Sequence, residues 1–156
     1  MGDRMYYLKR TDYGIRVTKE HEDVYVKNGL KGYINDLCLN NFSTYDGRKK
    51  AASRLLNEKS NIPIYIDNST FLYPTKALRE YDMLFLNYYA ILSFRKIDST
   101  NTLFIFKNLE ELVVQISINK VIRQHKRIEI INDYIDNLFW VKNESVYIKD
   151  NIGFNT

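Results

Sequence analysis

Nucleophilic or metal chemistry in this chain would have to come from two histidines, one cysteine and scattered carboxylates. His21 and His125 lie far apart in sequence, and no Ser or Cys sits in a nucleophile-elbow motif. Cys38 is the sole cysteine. One thiol makes neither an intramolecular disulfide nor a Cys-rich zinc site, so Cys38 reads as a core residue. No Gly-x-x-x-x-Gly-Lys-Ser/Thr or Gly-x-Gly-x-x-Gly loop is present to cradle phosphates. A metal-dependent nuclease would set carboxylates on a strand followed by Glu-x-Lys, and no Glu-x-Lys occurs. The residue types point away from an enzyme, with no cofactor and no metal.

The cations are more informative. The chain carries a net charge of +4, which permits a polyanion partner without requiring one. The charge is local. Residues 37–60 hold five Lys/Arg against two acids, and residues 118–128 hold four Lys/Arg and no acid. Arg48, Lys49 and Lys50 follow Gly47 directly. Glycine allows special φ and close backbone approach, so Gly47–Lys50 is expected to form a loop tip carrying three cations. An arginine on such a tip can enter a narrow A-tract minor groove, where the negative potential is enhanced. Ser43, Thr44 and Tyr45 supply hydroxyls that can hold phosphates and fix register, and Arg54 extends the same basic segment. Lys120, Arg123, Lys126 and Arg127 share one side of a 100° wheel, placing them for phosphate contact. The plain alternative for both clusters is a solvated helix face. Tyr6, Tyr7, Tyr88 and Tyr89 fit a half-buried sheet better than base stacking.

Elements that would position these groups follow from pattern. Residues 5–10, 15–19 and 24–27 read as an antiparallel meander, closed by a turn at Asn28-Gly29. Asp46 is placed to cap a helix over 48–58, with Ala51, Ala52, Leu55 and Leu56 on one side. Residues 62–66 and 70–73 form a strand pair around Asp67-Asn68-Ser69, with Pro63 and Pro74 marking its edges. Residues 83–96 and 102–107 read as two strands joined at 98–101, and a further strand starts near Leu112. The best helix spans 118–139. Ile118, Val121, Ile122 and Ile128 start an apolar stripe that Ile131, Ile135 and Leu138 continue. A short strand over 145–149 ends the chain. The fold class is α+β, a mostly antiparallel sheet with a short helix near 48–58 and a longer C-terminal helix near 118–139.

The segment from Cys38 to Thr75 carries a resemblance. It contains Cys38, then Ser43-Thr44-Tyr45, Gly47-Arg48-Lys49 and Leu55-Leu56. Ile62-Pro63-Ile64, Asp67 and Phe71-Leu72-Tyr73-Pro74-Thr75 follow. Order and spacing together resemble the ComK family of competence transcription factors. Residues 83–91 and 112–117, with Gln124 and Arg127, extend the likeness. The chain departs from the pattern at Lys76-Ala77, where that family often has Ser, and by offering Phe85, Tyr88 and Tyr89 where a Trp is common.

The resemblance implies a sequence-specific activator of DNA-uptake genes. It would bind double-stranded AT-rich promoter boxes, largely through the minor groove, as a homo-oligomer, and adaptor–protease complexes would regulate its turnover. The expected organisation is one DNA-binding α+β domain over 1–141 and a short tail over 142–156. The N-terminus shows no secretory h-region, no stretch of 18 apolar residues occurs, and a lone thiol suits a reducing compartment. The expected location is therefore the cytoplasm, on the nucleoid when DNA is bound, with no membrane partner. Two other classes fit the same residues: a general nucleic-acid-binding accessory protein, and a protein-interaction module.

Overall fold

A computed structural model describes the backbone of residues 3–155 and the side chains of residues 3–138. β1 (Met5–Thr11), β2 (Gly14–Lys19) and β3 (Asp23–Val26) form the expected meander, each strand antiparallel to the next. Gly14 holds its turn open at φ +154°, and a Cβ there would stand 2.0 Å from the Val26 carbonyl oxygen. Only glycine fits where β3 passes so close.

The chain bends at Lys27-Asn28, where a turn was expected, and runs straight into α1 (Leu30–Leu39), a helix with Gly29 as its N-cap that the pattern of residues does not announce. Its signals are weak. The cap offers no side chain, Gly32 lowers propensity, and the buried stripe is only Leu30, Ile34 and Cys38. Burial of that i, i+4, i+8 stripe holds the helix. α2 (Tyr45–Leu56) starts three residues before the expected point, because Thr44 and not Asp46 caps it, accepting from the Gly47 N–H at 2.9 Å. Asn57, in the left-handed region, ends it.

β4 (Ile64–Asp67) and β5 (Thr70–Pro74) form the expected hairpin, tightened by Asp67, whose carboxylate accepts from the Ser69 N–H at 2.9 Å. Residues 83–96 are not one strand. β6 (Leu84–Asn87) stops at a 3₁₀ turn (Tyr88–Ala90), and β7 (Ile91–Lys96) belongs to another sheet. Asn87 is the reason. Fully buried, it accepts from the N–H groups of Phe71 and Tyr89 and donates to the carbonyls of Met5 and Ser69. Those four bonds satisfy an amide that would be costly to bury otherwise, and they turn the chain out of the sheet. β7 pairs with β8 (Thr102–Phe106), and β8 with β9 (Glu111–Val114).

The large sheet runs β3-β2-β1-β6-β5-β4. One face packs on α1, through Leu8, Ile15, Val17, Leu72 and Phe85 against Leu30, Ile34 and Cys38. The other packs on the small sheet and on α3 (Ile118–Asn155). Tyr6, Phe71, Tyr73 and Leu86 meet Phe104, Phe106, Val121, Ile128 and Ile131 there. The architecture is α+β and mainly antiparallel, with three helices where two of consequence were expected. α3 continues past Phe139, and residues 145–149 are helical, not a strand. The run Val146-Tyr147-Ile148 suits either period, and helix already under way settles it.

Candidate nucleic-acid interface

α2 lies along the β4 edge and straddles both cores. Tyr45 packs with the α1 side, while Ala52 and Leu56 pack with the α3 side. The first helical turn is fixed from outside. The Asn35 side chain accepts from the Tyr45 N–H at 2.9 Å, and Thr44 caps the turn. Gly47–Lys50 is therefore helix, not a loop tip. Gly47 has no unusual φ. Its lack of a Cβ leaves room for the cap, since a Cβ would sit 3.0 Å from Thr44 Oγ1. Tyr45 is 6 % exposed, under Lys31, and Ser43 is half-buried.

Arg48 points inward as well. Its guanidinium lies 4.9 Å from the Tyr65 ring centroid and donates to the Tyr65 carbonyl at 3.1 Å and the Asn41 carbonyl at 3.4 Å. It ties the turn before α2 to the edge strand. Lys49, Lys50 and Arg54 are exposed and have no ion-pair partner among the described residues.

The cations of α3 divide in the same way. Lys120 and Lys126 are exposed. Arg123 is exposed too but is bound to the Glu58 carboxylate. Arg127 does not face outward: it is 5 % exposed, with its Nε 3.1 Å from Glu58 and its Nη atoms donating to the Ser60 and Asn61 carbonyls and to Gln124. The hydrogen bond from Arg123, with the charge of Arg127 behind it, holds the Glu58 carboxyl below its usual range. Gln124 donates to the Asn61 carbonyl at 2.7 Å. Gln124 and Arg127 thus dock α3 onto the α2–β4 connector, a role that wheel geometry missed because it separates faces by polarity alone. Both basic segments meet at Glu58. Between α2 and α3 runs a groove of about 710 Å³ lined by Lys50, Ala51, Arg54, Leu55, Tyr134 and Ile135.

A family model described as ComK protein matches residues 5–137. The chain belongs to the ComK family. It is accordingly a competence-related transcription factor. No curated protein and no solved structure gives a match.

Much of the ComK-like motif turns out to be architecture here. Cys38, Ile64, Phe71, Tyr73 and Thr75 are buried, and Thr75 Oγ1 accepts from the Leu84 N–H at 2.9 Å. Burial pushes the Cys38 thiol up, away from a reactive thiolate. His125 sits in an aromatic cage: the Tyr73 hydroxyl is 2.8 Å from its Nε2, and Tyr88 and Phe94 lie edge-on. Burial lowers its pKa to about 4, so the ring is neutral at physiological pH. Asp3, Glu20 and His21 bring ligand atoms within 4.8 Å of one another at the surface. There the Asp3 carboxylate already accepts from the His21 N–H. No helix among the described residues is long and apolar enough to cross a membrane.

Proposed function

We propose that this ComK-family protein is a sequence-specific activator of DNA-uptake genes that binds AT-rich duplex boxes, largely through the minor groove. The observation that carries the reading is the outer face of α2, where Lys49, Lys50 and Arg54 stand in solvent without acidic partners among the described residues. Such a face neutralises phosphates at little desolvation cost. Lys120, Lys126 and, through its exposed side, Arg123 extend it along α3. Arg48, Arg127, Thr44 and Tyr45 are left out of the DNA-facing group, because their polar groups or rings are committed within the fold. The binding unit in this reading is residues 1–141. It acts in the cytoplasm, as an oligomer, under adaptor–protease control, as the family resemblance implies.

The test is a titration of labelled AT-rich paired boxes against a GC-rich duplex of equal length, over a range of salt. Preference for the AT-rich duplex, with a salt slope of about 0.9 per neutralised phosphate, supports the reading. Equal affinity for both duplexes and for single-stranded RNA would favour a general nucleic-acid binder.

A further inference from the structure

The turn between α1 and α2 exposes a phenylalanine that the core does not use. Phe42 has a relative exposure of 102 % and a φ of 59°. That left-handed conformation is poorly tolerated by a bulky side chain. Two asparagines, which accept it readily, stand immediately before, yet the left-handed slot falls on Phe42. The turn is not loose. The Phe42 N–H donates to the Leu39 carbonyl at 3.2 Å, and the Ser43 N–H to the Cys38 carbonyl at 3.0 Å. The Asn41 side chain donates to the Leu37 carbonyl at 3.0 Å, and Arg48 grips the Asn41 carbonyl. A rigid tip therefore carries an unburied ring three residues ahead of α2. Lys49 and Lys50 lie exposed on the first half of that helix, while Asp46, the acid of its first turn, is paired with Lys31 at 3.6 Å.

We propose that Phe42 is a DNA wedge, inserting its ring between stacked base pairs of an AT-rich duplex. This rests on the DNA-binding reading above and deepens it. Apolar side chains presented beside cations unstack a base step from the minor groove and bend the duplex. The flexible T-A step is the place where insertion meets least resistance. The positive neighbours select a polyanion as the occupant. Strain and exposure are accepted in the free protein, and the ring finds its apolar surroundings in the base stack. Arg48 acts as a positioning residue, holding the tip at its angle.

The experiment uses the full chain with duplexes carrying 2-aminopurine at T-A steps and a dye pair at the ends. The parent protein is expected to raise 2-aminopurine fluorescence and shorten the end-to-end distance. Phe42→Gly suits the left-handed backbone and keeps the fold. It should lose both signals and bind roughly 5- to 150-fold more weakly, the range of one aromatic–base stack. Phe42→Leu, still an apolar wedge, should keep most of the bend. If the parent binds and Phe42→Gly unstacks and bends the duplex equally, the wedge is overturned while the DNA-binding reading stands. If the parent binds no duplex, both fall. A Phe42→Gly chain whose oligomeric state changes without DNA would also overturn the wedge, by showing that the ring serves a protein contact.

Discussion

Arg48 is the residue whose position most changes its expected role. Read from the sequence it is a cation for the minor groove; in the fold it spans Tyr65 and Asn41. Arg48→Ala is therefore expected to destabilise the protein by about 1–2 kcal/mol, the loss of two charge-assisted bonds at a half-buried site. Urea denaturation measures this. Unchanged stability with lost AT preference would restore the groove-reading role. His125 gives a second test. Its folded pKa of about 4 lies below the ordinary 6.5, so the fold binds the neutral ring. The stabilisation is complete above about pH 6.5 and is lost as pH falls from there towards 4. The loss is on the order of 3 kcal/mol. The groups packed around it, Tyr73, Tyr88 and Phe94, do not titrate in that window. Glu58, held low by Arg123, adds its own loss only below about 4.5. His125→Gln should flatten the stability profile between pH 6.5 and 4.5.

The elements divide the cations into groups that hold the fold and groups that face solvent. Replacing Lys49, Lys50 and Arg54 together by Gln keeps α2's length and propensity, so the fold should survive. Binding should weaken for AT-rich and random duplexes alike, with the salt slope falling by up to roughly 3, about 0.9 for each phosphate no longer neutralised. An unchanged slope would mean that the face is only solvated. On α3 the apolar stripe is core at Val121, Ile128 and Ile131, which pack in the cluster behind the large sheet, while Ile122 is exposed. Ile131→Ala should cost about 2–4 kcal/mol in chemical denaturation, as for other large-to-small core changes. A fall in cooperativity on paired boxes with intact stability would instead make that stripe an oligomer seam. In the meander, Gly14→Ala should fail to fold or lose several degrees of melting temperature, because the Val26 carbonyl occupies the methyl's place.

At the scale of the whole molecule, one face of the large sheet is closed by α1 and the other by α3 and the small sheet, leaving α2 on the β4 edge with its cations outward. In the proposed reading this surface faces the minor groove, where A·T and T·A present nearly the same acceptors and G adds an amine. Single A·T to T·A swaps should change affinity less than A·T to G·C swaps, measured on matched duplexes with tract length held constant. Strong loss on the first kind of swap would point to the major groove.

Features set by a few neighbouring residues were legible in the sequence. Alternation and turn residues marked the β1–β3 meander and the β4–β5 hairpin, because strand period and turn chemistry are properties of a few neighbouring residues. Periodicity marked α3, and the ordered motif from Cys38 to Thr75 marked the family. Tertiary structure decided the rest. α1 has too little propensity to announce itself and forms because Leu30, Ile34 and Cys38 find a sheet to cover. Strand 83–96 breaks because Asn87 meets four backbone partners contributed by four other positions of the chain. Arg48 and Arg127 turn inward because the carbonyls of Asn41, Ser60 and Asn61 in the connectors and of Tyr65 on the edge strand accept from their guanidinium groups. A helical wheel sees charge and predicts solvent. Which cations face solvent depends on unpaired backbone carbonyls that distant segments bring within reach.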